Sequence, residues 1–140
     1  MAQFARPDSD LVNEWATSPA WSTMDEVSFS DADFAASNIA PTSDVLAVRL
    51  SDVEDPVSST GHIVRYRYKK DAAGGSQINL TVELRQGYTN EGSQGTLIAT
   101  WSHTNISDTV TAAAQTLSAG EADSITDYTA LVLRFVANQV

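Results

Sequence analysis

From about Asp44 to the C-terminus, short β-type runs alternate with turn residues, and within several runs apolar and polar side chains alternate one by one. Period-two patterning sends successive side chains to opposite faces of an extended strand. VLAVRL at 45–50 predicts a first strand, and SDVEDPVSSTG, punctuated by Pro56 and Gly61, predicts a loop. In HIVRYRYKK, Val64, Tyr66 and Tyr68 alternate with Arg65, Arg67 and Lys69. DAAGGS turns the chain, and NLTVELRQGY then puts Leu80, Val82 and Leu84 on one face and Thr81, Glu83 and Arg85 on the other. GTLIATWSH, residues 109–116 and ALVLRFVANQV predict three more strands. HIVRYRYKK and NLTVELRQGY are expected to pair as a hairpin, with Arg65 opposite or diagonal to Glu83. Parity settles the face but leaves a two-residue slip open.

Two other stretches depart from this pattern. In TLSAGEADSITDY, Ser118 and Glu121 stand in the S-x-x-E relation of a capping box, which predicts one short crossover helix with Ile125 and Tyr128 turned inward. Residues 1–41 are rich in Asp, Ser, Ala and Asn, are interrupted by Pro7, Pro19 and Pro41, and show no sustained period. They are expected to form an extended arm pinned by Trp15, Trp21 and Phe34 to a surface, that of its own domain or of a neighbour. The expected fold is all-β: an antiparallel β-sandwich of jelly-roll type over 42–140, with roughly eight strands, preceded by the arm.

The chain's 140 residues suffice for one domain with a buried core, and 42% of them are hydrophobic, which argues against disorder. With no cysteine, a disulfide scaffold, an iron–sulfur site and thiolate zinc sites are excluded. MAQFARPDSDLVNEW lacks the apolar core of a signal peptide and no run approaches a bilayer span, so a cytoplasmically made protein without a membrane partner is expected.

Charge changes the picture most. The formal net charge is -10, yet residues 61–88 hold Arg65, Arg67, Lys69, Lys70 and Arg85, five of the eight basic residues. A groove for single-stranded nucleic acid would interleave such cations with exposed aromatics, whereas here the tyrosines fall on the opposite face and Glu83 joins the basic one. No nucleic-acid partner is therefore expected, and the face suits contact with protein.

Catalytic signatures are missing: there is no G-x-S-x-G, no H-E-x-x-H, no phosphate-cradling glycine loop and no dinucleotide fingerprint. His62 and His103 sit at strand ends as exposed or hydrogen-bonded structural residues. The acidic clusters Asp25, Glu26, Asp31, Asp33 and Asp52, Glu54, Asp55 lack the glycine turn and closing glutamate of a calcium loop and are read as solvated loops. No acid pair is singled out for glycoside hydrolysis, and Trp101, inside an apolar run, is read as core. Neither enzyme activity, nor a cofactor, nor a metal is expected.

The stretches STMDEVSFSDADFAAS, VRLSDVEDPVSSTGHIVRYRYKKDAAGGSQINLTVELRQG, GTLIATWSH and EADSITDYTALVLRF resemble small β-sandwich virion proteins of tailed bacteriophages, among them capsid decoration, or cement, proteins. That resemblance implies a non-enzymatic protein that binds the major capsid protein on the outside of the phage head, after synthesis in the host cytoplasm, as a homotrimer. It equally implies an alternative, a glycan-binding module of a head fibre or tail spike. The candidate protein-contact residues are Trp15, Trp21, Arg65, Arg67, Lys69 and Arg85.

Overall fold

The computed structural model describes residues 2–28, 30–72 and 75–140; positions 73 and 74 of the expected turn DAAGGS lie outside them. The chain is mostly antiparallel β with almost no helix. Seven strands are formed by the described residues: β1 (Pro7–Asn13), β2 (Thr42–Leu50), β3 (Ile63–Tyr68), β4 (Ile78–Gln86), β5 (Thr96–His103), β6 (Thr111–Thr116) and β7 (Leu131–Gln139). They make a five-stranded sheet in the order β1-β2-β7-β4-β5 and a separate two-stranded ladder, β3-β6.

Alternation sorts the faces as the pattern predicts. Leu46 and Val48 of β2, Leu80, Val82 and Leu84 of β4, and Leu133 and Phe135 of β7 are buried in one core, with Tyr66 of β3 among them and Val64 and Tyr68 packed against it. The short helix α1 (Ala119–Asp123) carries the expected capping box: Ser118 Oγ accepts from the Glu121 amide at 3.2 Å, and Glu121 Oε2 accepts from the Ser118 amide at 2.7 Å. Ile125 and Tyr128 beyond it are buried.

The expected hairpin is not formed. β3 pairs with β6, with Arg65 opposite Ala114 and Arg67 opposite Ala112, while β4 lies between β7 and β5. The ladder partner of Glu83 is Arg134 of β7, so opposite charges face each other directly across β4 and β7. Side-chain parity is local and was readable; partner choice is set by groups distant in the chain, here β7 and β5 beside β4.

The N-terminal arm is likewise part of the fold. Residues 7–13, expected to be irregular, form β1 at the edge of the large sheet beside β2. Register shifts between Pro7 and Ser9 and between Asp10 and Val12 break the period of two, and proline is tolerated at the start of an edge strand. Both Asp10 carboxylate oxygens then accept backbone amides, from Ala20 at 2.7 Å and Trp21 at 2.8 Å, and turn the chain back so that Ala20 is fully buried.

Candidate protein-binding face

The ladder's outward face follows from its register. Ile63, Arg65, Arg67 and, beyond the strand end, Lys69 are exposed on β3, opposite the exposed Thr116, Ala114 and Ala112 of β6. Short side chains on β6 leave the long cations standing above a low surface. Arg67 is bound by Asp31 of the N-terminal segment at 2.9 Å, with both side chains substantially solvated. Arg65 and Lys69 make no hydrogen bond or ion pair with another described residue. An acidic chain thus presents two uncommitted cations on one strand face.

The other expected contact residues lie elsewhere. Trp15 donates its indole N–H to the Asp44 carbonyl at 3.0 Å and packs against Phe135 at 6.2 Å between ring centroids, and Trp21 packs on the core. Both tryptophans therefore tie the arm to its own domain, whereas Phe34, expected to share that task, is 59% exposed. Arg85 belongs to the large sheet, not to the face of β3, and its side chain is 14% exposed. Glu83, expected on an exposed face beside Arg65, is buried.

Glu83 anchors a charge cluster that sequence reasoning missed. Its Oε2 accepts from Arg85 Nε at 2.9 Å and Nη2 at 2.6 Å, and its Oε1 accepts from Arg134 Nη1. Arg134 also donates from Nε and Nη2 to the Glu91 carboxylate, and the Tyr88 hydroxyl donates to Glu91 Oε2 at 2.8 Å. Two arginines and two glutamates balance, which is how buried charge is tolerated. The hydrogen bonds from Arg134 hold the Glu91 carboxyl below its ordinary value, and burial, with Glu91 close by, pushes the Tyr88 hydroxyl up. The one available signal was Arg134 itself, the single charge inside ALVLRFVANQV.

A local turn makes this cluster possible. The segment at 87–95 leaves β4 and folds back over the outer face of the large sheet, where Tyr88 is buried with Ala47 and Val132. Gly95 closes the turn at φ +62°, and a Cβ there would lie 2.1 Å from the Gln86 carbonyl oxygen. Only glycine fits so close a backbone approach.

Neither acidic loop gathers a metal-binding set: among the described residues, no three His, Cys, Asp or Glu side chains are arranged to hold an ion. Asp52 is taken by Arg49 at 2.6 Å, and Asp55 accepts the Val57 amide at 2.7 Å. Burial raises the Glu26 carboxyl, and the neighbouring Asp33 and Asp25 add to the rise. A cleft of about 370 Å³ opens between this second loop and α1, lined by Asp55, Ser58, Asp123 and Tyr128. Both histidines are hydrogen-bonded, His62 Nε2 to the Tyr128 hydroxyl at 2.8 Å and His103 to the hydroxyls of Tyr66 and Tyr68 at 2.7 and 3.0 Å.

No family model matches this chain, and neither a curated protein nor a solved structure matches it.

Proposed function

We propose that the chain is a structural virion protein, a decoration or cement protein that binds the major capsid protein on the outside of a tailed-phage head and stabilises contacts between its subunits. The observation that carries this reading is the exposed face of β3 and β6, where Arg65 opposite Ala114 and Lys69 beyond the strand end have no ion-pair partner among the described residues, on a chain of net charge -10. Such a face suits a carboxylate-bearing protein surface, because interfacial charge sets orientation and partner choice.

The sandwich of jelly-roll type belongs to the same reading. Its support is the stacking of ladder on sheet: Tyr66 lies 6.3 Å from Trp101 and Tyr68 lies 4.5 Å from His103, both between ring centroids. A homotrimer is proposed with it, since symmetric closure repeats one small patch against several capsid subunits. The experiment is to quantify this protein against the major capsid protein in purified particles. A copy number of the same order as the capsid subunit is expected. A few copies per particle would overturn the reading and favour the glycan-binding module of a fibre or spike.

A further inference from the structure

Among the described residues, the β3-β6 ladder shares no strand pairing with the five-stranded sheet. Side chains hold it there, and His103 at the end of β5 is central to that contact. Its two ring nitrogens meet two tyrosines of β3, Nε2 with the Tyr66 hydroxyl and Nδ1 with the Tyr68 hydroxyl.

The proton positions follow from the donor inventory. Gln115 of β6 donates from Nε2 to the Tyr66 oxygen at 3.3 Å, and the tautomer that leaves the buried Tyr66 hydroxyl paired directs its hydrogen to His103 Nε2, with His103 Nδ1–H donating to the Tyr68 oxygen. This one-way chain from β6 through β3 to β5 and back to β3 requires a neutral imidazole. A second ring proton, on Nε2, would oppose the Tyr66 hydrogen. Tyr66, 7% exposed, would then lose the acceptor of its hydrogen. The positive ring would face Tyr66 and Tyr68 of β3, Leu80 across the ladder in β4 and Trp101 close by on its own strand, with Gln115 of β6 reaching it through Tyr66. No carboxylate among the described residues hydrogen-bonds it.

We propose that the His103 clamp is an acid-sensitive latch: protonation of the imidazole releases the β3-β6 ladder from β5 while the five-stranded sheet stays folded. Burial lowers the His103 pKa from its ordinary 6.5, so the neutral ring is the one the closed form favours. The latch is therefore fully closed above about 6.5, the value of an open ring, and weakens as the pH falls from there through the lower value of the closed form. This inference does not depend on the capsid-binding reading.

Hydrogen exchange of the full chain at about pH 7.5 and about pH 5 tests it. Exchange of β3 and β6 amides, taken relative to β7 amides to remove the chemical effect of pH, should rise on acidification, with about thirtyfold as the ceiling for a ring whose open form titrates at its ordinary 6.5. In His103→Gln, whose side chain does not titrate, the ratio should be independent of pH. A wild-type ratio that does not change, or one that changes equally in the variant, overturns the latch. Should the variant not fold, the imidazole titration of His103 in the wild-type protein decides: a midpoint at or above the ordinary value overturns the proposal, and a lower midpoint that coincides with ladder release supports it.

Discussion

The outward faces of β3 and β4 are written in similar code, charged side chains two residues apart, Arg65 and Arg67 on one and Glu83 and Arg85 on the other, and they come to opposite environments. Arg65 and Arg67 on β3 remain exposed. Glu83 on β4 is 6% exposed and is held by two arginines. The difference lies in what covers each face. On β4 the 87–95 segment folds back with Tyr88 and Glu91, and β7 supplies Arg134 directly opposite Glu83. On β3 the facing residues are alanines, and Asp31 reaches Arg67 from the side. Water screens the first set of charges, and protein groups have replaced water around the second, so the same residue types carry different energies.

The sharpest way to break this comparison is to remove a charge from the covered face. Glu83→Ala leaves Arg85 and Arg134 without their shared carboxylate, and a loss of about 3–5 kcal/mol is expected from urea denaturation. A loss under about 1 kcal/mol, the range of exposed pairs, would mean that β4 is as well solvated as β3.

A smaller effect is expected at the rim of the same cluster. Glu91 is about one-third exposed, and its folded pKa is lowered below the ordinary 4.5 chiefly by Arg134. Its contribution is therefore present above about 4.5 and is lost as pH falls through the depressed folded value. Glu91→Gln should cost about 1 kcal/mol at neutral pH, discounted for solvent screening, and should flatten the acid limb of the stability curve. An unchanged acid limb would detach Glu91 from the cluster.

The smallest effect on stability sharpens the other side. Arg65→Ser with Lys69→Ser should shift unfolding by no more than about 0.5 kcal/mol. The same variant should bind capsids more weakly and with less dependence on salt. Thermal melts alongside capsid-binding titrations at two salt concentrations measure both. Unfolding of the double variant would show that this face is buried in the working protein.

Several features of the fold are legible in the sequence itself. Tyr66 and Tyr68 against Arg65 and Arg67, and Leu80, Val82 and Leu84 on one face, follow from a geometry that repeats every two residues. The helix at Ala119–Asp123 follows from Ser118 and Glu121 satisfying each other's amides. β1 escaped because its register shifts move the pattern out of phase. The Glu83 cluster escaped because its members are up to 51 residues apart in the chain.

What the amino-acid sequence determined by itself, then, is local: strand character, which side chains share a face, the capped turn of helix, and an acidic chain with its cations gathered near β3. Tertiary structure alone decided that β3 joins β6, that Glu83 meets Arg134, and that His103 lies between two tyrosines. The physical reason is one of range. Backbone geometry and capping act within a few residues, whereas strand partnership and the desolvation of a charge depend on which distant groups arrive to replace water.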